Sequence, residues 1–512
     1  MAVRYGRAKS LNERCRLAPA AMSLRVAAMK PRRSAAVIAF LSLALAASAP
    51  PPALDQSLQQ RIEADFAAAR PGARFGLVVA TEDGRELVAI DPEQRFVPAS
   101  NTKLLTTAAA FATLPGLDRP DEAGGAAVRL DGADVVLRGH GDARLSSAPD
   151  CVVDCLAALA DAVAARTRTV RNVVGDDSLF PDQRWSPGMS WNNIQTSSGT
   201  AVSALTLDDN VVALRVSPGA AGQRPALAML PYYDVDNRAT TVAQGETDLS
   251  FDRRPGSRIV RLSGTIAAGA PAQELLLAID DPADYAAWRL RSLLEARGVR
   301  ITGRIETRHR PLGPADDPRR RNGAPALRPP QPDALARLIP PPLAADLVEI
   351  NKASQNLHAD LMLRRLGLVD GSGSIADGVA VIAAMLERAG VPRTGWDLSD
   401  GSGMSTYNRL SPRAVVTFLR WAAAQPWGEA WRATLPVAGV DGTLERRFRG
   451  TALAGRLFAK TGTLNATNAL SGYMIARSGR TLVFSIYAND IPGGGSATAI
   501  MDAALERIAE AN

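Results

Sequence analysis

Lysine is the residue this chain comes closest to doing without. Of its 512 residues 59 are basic, yet lysine stands only at Lys9, Lys30, Lys103, Lys352 and Lys460, and every other basic position is arginine. Histidine and cysteine are as scarce, with three of each. His140, His309 and His358 do not compose a persuasive Ser-His-Asp set, which turns attention away from histidine-based acyl transfer. No histidine lies near Cys151 and Cys155, so a zinc site there is not expected. Those two cysteines, four apart in CVVDC, are either a local disulfide or a reduced pair on one helix face. Aromatic residues make up only 5% of the chain, but 46% of it is apolar, ample for a core. Beyond residue 49 no run is apolar enough to span a membrane.

The shortage of lysine is informative because arginine serves wherever positive charge is enough. Arginine stays protonated, whereas burial and neighbouring charge can bring a lysine to neutrality. The first two lysines fall in a leader, so three remain to mark places where arginine will not do. Lys103 closes Ser100-Asn101-Thr102-Lys103. Lys352 precedes Ser354-Gln355-Asn356, and Lys460 opens Lys460-Thr461-Gly462-Thr463.

In FVPASNTKLLTTAAAF (96–111), Pro98 signals a helix start and the residues after it are good helix formers. Ser100 and Lys103, three apart, then share a helix face. A neutral lysine there can take the serine proton and create a nucleophile, and the helix N-terminus favours the charge that develops. An isolated Ser-x-x-Lys is more often a capping serine beside a solvated lysine. Here two further motifs follow it in order.

Ser-x-x-Lys, Ser-x-Asn and Lys-Thr-Gly, so ordered, resemble the penicillin-recognising serine enzymes. NKASQNLHADLMLRRLG (351–367), DGSGMSTYNRLSP (400–412) and AKTGTLNATNALSGY (459–473) are similar to the class C low-molecular-mass penicillin-binding proteins. These are D-alanyl-D-alanine carboxypeptidases and endopeptidases of the bacterial periplasm, and the likeness runs from about Leu54 onward. It implies an α/β (α+β) fold: a penicillin-binding/β-lactamase-like transpeptidase domain, an antiparallel sheet flanked by helices, with a large β-rich insertion. It implies Ser100 as nucleophile, Lys103 as base and Ser354 as proton relay. Asn356 would bind the substrate amide, and Lys460, Thr461, Gly462 and Thr463 the terminal carboxylate, with the backbone N–H groups of Ser100 and Thr463 as oxyanion hole. Asp176, in GDDSLF with Phe180, resembles a segment bordering the substrate cleft, with a turn followed by a core Phe as the alternative reading. Peptidoglycan peptides are the implied partners and β-lactams the implied covalent inhibitors, with no cofactor and no metal. A serine β-lactamase and a catalytically dead wall-binding module are the competing readings.

Residues 1–49 carry nine Lys or Arg and one Glu, then a short apolar run ending in Ala47-Ser48-Ala49. This is the pattern of a secretory signal peptide, with Met22 or Met29 as alternative starts and an uncleaved anchor as the competing reading. It implies a periplasmic protein. The leader contributes 9 − 1 = +8, so the remainder carries 7 − 8 = −1 and offers no basic surface for nucleic acid.

The sequence divides the rest into a first catalytic part (50–115), an insertion (116–335) and a second catalytic part (336–512). A helix over 54–70 and a hairpin of Arg74 to Ala80 with Glu86 to Ile90 lead into the nucleophile helix. The insertion reads as recurring short strands, with Leu249 to Gly303 as a separate lobe holding a helix from Pro282 to Arg297. Leu343 to Gly367 reads as one helix. Lys352 and Lys460 together add positive charge that favours a neutral Lys103. No oligomeric state is assigned.

Overall fold

The computed structural model describes residues 56–322, 324–328 and 331–512; the expected leader over 1–49 lies outside them. A five-stranded antiparallel sheet is built from both ends of the described chain. In space its strands run Leu457–Leu464, Thr467–Ile475, Thr481–Asn489, Arg74–Thr81 and Glu86–Ile90. The strand Arg74–Thr81 thus lies directly beside one that starts 400 residues later.

Both faces of this sheet are buried, which is why its central strands read as nearly unbroken apolar runs. Side chains alternate between two cores with the two-residue period of a strand. Leu77, Val79, Leu470 and Phe484 face the helices Gln56–Ala69 and Thr498–Ala511, meeting Ile62, Phe66 and Leu505. Val78, Ala80, Tyr473 and Val483 face the other way, toward Leu104 and Leu105 of the helix Thr102–Thr113. Around that helix pack Asn356–Leu366, Ile375–Arg388 and Pro412–Ala423, through Leu363, Met385 and Phe418. The nucleophile helix is therefore a central, dry element, with Leu104, Leu105 and Ala108 to Ala110 all buried.

The chain between is a second body of sheet and helix. Its main sheet orders Ile305–Arg310, Val173–Pro181, Asp134–Arg138, Ala127–Asp131 and Ala336–Arg337. The helices Leu156–Arg166 and Pro282–Ala296 share its core. Cys151 and Cys155 are joined as a disulfide, which decides between the two readings of that pair.

Three expectations are corrected here. Leu249 to Gly303 is not a separate lobe: the strand Gln273–Ala278 pairs with Val211–Ser217, and Leu262, Tyr285 and Leu290 share one core with Val128 and Leu159. The insertion also runs a little past residue 335, since Ala336 and Arg337 pair with Val128 and Ala127, and the catalytic helices resume at Leu343. The expected single helix over 343–367 is two, Leu343–Lys352 and Asn356–Leu366, with Ser354 between them in the left-handed region at φ 64°. That break aims Ser354.

Candidate active site

The chain approaches the nucleophile through a tight turn. Ala99 has φ 47°, and a short 3-10 turn over Ala99–Asn101 leads into the helix Thr102–Thr113. Two glycines let neighbouring backbone close on this turn. A Cβ on Gly462 would stand 2.7 Å from the Pro98 carbonyl oxygen, and one on Gly403, at φ 90°, would stand 1.9 Å from that of Ala99. Gly462 accordingly admits the nucleophile turn against the sheet edge. Asn101, fully buried, donates from Nδ2 to the Lys460 carbonyl at 2.7 Å and stitches the helix start to the edge strand.

Lys103 is fully buried, and its Nζ has three partners. Ser100 Oγ lies at 3.0 Å, Asn356 Oδ1 at 2.7 Å and the Ser402 carbonyl oxygen at 2.6 Å. The Asn356 amide is fixed the right way round, because its Nδ2 donates to the Ser198 carbonyl at 2.8 Å. Two of the three partners can only accept. A neutral amine has two hydrogens and one lone pair, so those acceptors consume both hydrogens and leave the lone pair toward the Ser100 hydroxyl. Burial brings the amine pKa down to about 8, against the opposing pull of Asp360 and Asp400.

Lys460 sits behind Ser354. Its Nζ donates to Ser354 Oγ at 2.9 Å and to the Thr461 carbonyl at 3.2 Å. It too is fully buried, and burial together with the Lys103 charge lowers its pKa well below the ordinary lysine value. Two ammonium ions this deep and this close oppose one another. Thr461 Oγ1 donates to Thr443 Oγ1 at 2.7 Å, while Thr463 lies exposed in the cleft.

Ser100, Ser354, Asn356 and Thr463 line one cleft of about 970 Å³. The insertion supplies part of its wall through Ser190, Asn193 and Ser198; Met404, Thr406 and Asn468 are other lining residues. Among the described residues no group of histidine, cysteine or carboxylate side chains could hold a metal ion.

The structure brings together Ser100, Lys103, Ser354, Asn356, Lys460 and Thr461 to Thr463. It does not bring Asp176. That residue is buried in the insertion's sheet, where its Oδ1 accepts from the backbone N–H of Ser178 at 3.0 Å and the Ser178 hydroxyl at 2.6 Å, and it does not line the cleft. Lys352 is corrected as well. Its Nζ is paired with Asp441 at 2.6 Å, so its charge is neutralised where it stands and does not act on Lys103. The histidines are engaged elsewhere: His309 bridges Asp177 and Asp281, and His358 Nε2 lies 2.9 Å from Asp209.

Sequence reasoning missed Asn101, Thr443, Asp360 and the Ser402 carbonyl. Asn101 was legible in principle, as the polar residue inside Ser-x-x-Lys. A backbone carbonyl leaves no mark on residue identity.

The model of the D-Ala-D-Ala carboxypeptidase 3 (S13) family matches residues 58–511. A D-alanyl-D-alanine carboxypeptidase of Actinomadura sp. is 33% identical over 465 residues, covering 86% of this chain and 82% of its own. The crystal structure of penicillin binding protein 4 from Haemophilus influenzae superposes with a TM-score of 0.71 at 19% identity, over 87% of this chain and 98% of that one. The same Haemophilus protein in complex with a β-lactam matches with a TM-score of 0.69, over 88% of this chain and 98% of that one.

Proposed function

Since the chain belongs to the D-Ala-D-Ala carboxypeptidase 3 (S13) family, we propose that Ser100 is its acylated nucleophile and Lys103 the base that activates it. The chain is a serine-type D-Ala-D-Ala carboxypeptidase of that family, acting through an acyl-enzyme. One observation carries the residue assignment: the two obligate acceptors on Lys103 Nζ direct its lone pair at the Ser100 hydroxyl.

As Ser100 Oγ attacks the penultimate carbonyl carbon, its proton passes to Lys103. The Ser100 and Thr463 backbone N–H groups take the oxyanion. Collapse breaks the C–N bond, and the departing D-alanine amine takes a proton through Ser354, whose hydroxyl Lys460 holds. Water then hydrolyses the ester. Lys460 has no exposed surface, so its charge reaches the substrate carboxylate from behind Ser354, and Thr463 meets that carboxylate in the cleft. An arriving carboxylate favours charged Lys460, and charged Lys460 favours neutral Lys103. Substrate binding thereby prepares the base. Asn356 holds Lys103 with its oxygen, and its place on the cleft wall suits it to face the substrate amide as well.

Peptidoglycan stem peptides are the substrates this reading assigns, β-lactams are covalent inhibitors, and the periplasm is the location. The basic, apolar, small-residue order of residues 1–49 supports export. Intact mass of the exported protein tests that part: cleavage near Ala49 is expected, and retention of residues 30–49 would make the protein anchored. The chemistry is tested by labelling with a fluorescent penicillin, with Ser100→Ala as control, beside D-alanine release from a peptide ending in D-Ala-D-Ala. Stable labelling that vanishes in Ser100→Ala is expected. Rapid turnover of the label would indicate a β-lactamase, and absence of both activities would overturn the assignment.

A further inference from the structure

Lys103 is oriented by a carbonyl, and that carbonyl belongs to a turn held by two buried carboxyl groups. The turn runs from Asp400 to Gly403. Thr106, one helical turn beyond Lys103, donates its hydroxyl to the Gly401 carbonyl at 2.7 Å. Asp400 is committed to the turn itself: it accepts from Gly403 N, Ser405 N and Asn408 Nδ2 at 2.6 to 2.8 Å, with the Ser186 hydroxyl at 3.4 Å. Asp360 reaches in from outside, from the helix that also carries Asn356 one turn earlier. Its Oδ1 accepts from Gly401 N at 2.8 Å, and the Ser402 hydroxyl lies on the same carboxyl.

Resting on the serine–lysine reading above, we propose that Asp360 is a positioning residue for the proton transfer. Through the Gly401–Ser402 turn it holds the carbonyl that orients the Lys103 amine, and its carboxylate supplies the negative charge that balances that amine once the Ser100 proton has moved. In that step the Ser100 O–H bond breaks and an N–H bond forms at Lys103; Asp360 takes no proton from either.

The groups facing this pair are few. Lys103 meets Asp360 from one helix, Asp400 from the turn and Lys460 from the edge strand. Asp360 meets Asp400, Lys103 and, four residues along its own helix, Arg364. Burial pushes the Asp360 carboxyl up to about 7, with Asp400 adding to it and the Gly401 N–H, the Ser402 hydroxyl and Lys103 opposing. Its charge is therefore poised to change in the same range as that of Lys103.

The test is the pH profile of acylation of the full chain by a fluorescent penicillin. Wild type, Asp360→Asn and Ser402→Ala are compared, with Ser100→Ala as the blank. Asparagine retains an oxygen for Gly401 N but no charge, so the Lys103 pKa falls and the acidic limb of the profile moves down by about one pH unit, the effect typical of an opposite charge a few ångströms away. Ser402→Ala keeps its carbonyl, makes Asp360 easier to protonate and moves the limb the same way by less. It decides the matter if Asp360→Asn does not fold. A lowered plateau with the limb unmoved in the folded variants would make Asp360 a structural residue only and overturn the proposal. A wild type that is not acylated would instead fail the serine–lysine reading itself.

Discussion

Replacing Lys103 by arginine keeps the charge and nearly the length, and it removes the one property the site requires. The wild-type amine, with its pKa drawn down to about 8, is neutral in roughly a quarter of molecules near pH 7.5. Arginine, with a pKa above ~12, leaves fewer than about one in 10⁴ neutral at that pH. A positioned base contributes about 10²- to 10⁴-fold, so acylation of Lys103→Arg falls by at least ~10². The pocket sharpens the test. It offers the nitrogen three partners, two of which can only accept, whereas a guanidinium brings five donors, so some overpacking cost of about 1–3 kcal/mol accompanies the chemical loss. The assay must separate the two effects. Thermal unfolding reports the packing cost, and stopped-flow acylation of the folded protein at about 25 °C reports the base. A folded Lys103→Arg enzyme acylating within tenfold of wild type would refute both the base assignment and the argument from scarce lysine.

Further outcomes are expected elsewhere in the molecule. Lys460→Ala loses the hydrogen bond to Ser354 that becomes charge-assisted once the substrate carboxylate arrives, of about 1.5–3 kcal/mol, and slows acylation by roughly 10- to 150-fold; equal loss of labelling and of thermal stability would make Lys460 structural. For His358, burial opposes the charged form, but the hydrogen bond to Asp209 and the Asp346 carboxylate 3.2 Å from Nδ1 outweigh it and raise the pKa to about 9. A folded pKa above the unfolded value stabilises fully below about pH 6.5 and is lost as pH rises through about 9, so urea unfolding at pH 6 and at pH 9.5 should show wild type losing more stability than His358→Asn. Asp142 and Asp154 are both buried, and burial raises both carboxyl pKa values, with the Asp154 charge adding to the rise at Asp142. With folded values above the unfolded one, the stability these neutral carboxyls allow is fully present only below about pH 3.9 and is lost as pH rises, so Asp142→Asn should raise the melting temperature near pH 8.5 while giving no gain near pH 3.5.

What the sequence reveals about this protein follows from the range of its interactions. The hairpin of Arg74 to Ala80 with Glu86 to Ile90 was legible from its strand-like alternation, and burial on both faces of the sheet shows in the apolar runs Leu77 to Ala80 and Leu482 to Phe484. Lys103 and Lys460 stood out because arginine cannot be discharged. Lys352 stood out by the same count and misled, since an ion pair with Asp441 is work an arginine can do. The left-handed Ser354 carried no glycine or asparagine to announce it, so two helices read as one. Asp176 looked like a cleft residue from its neighbours in the chain, yet Ser178, two residues on, already satisfies it. Leu249 to Gly303 looked autonomous because its strand partners, such as Val211–Ser217, lie tens of residues away. The contact between Lys103 and the Ser402 carbonyl spans 299 residues and involves no side chain at the far end.

The single hydrogen bond from Asn356 to the Ser198 carbonyl has a consequence for how the enzyme can be shortened. A carboxamide is nearly symmetric in shape, and only its partners decide which end is oxygen. Ser198 lies in the insertion, so whenever Lys103 is neutral the insertion is what prevents this amide from turning over. An excised variant, with the two catalytic parts joined directly, would still hold Ser100, Lys103 and Asn356 at the same addresses. Unless the new linker offered an acceptor in place of Ser198, the amide could present its NH₂ to Lys103. The amine would then accept from asparagine with the lone pair meant for serine. Such a protein would keep every signature residue and lose the reaction to a half-turn of one bond.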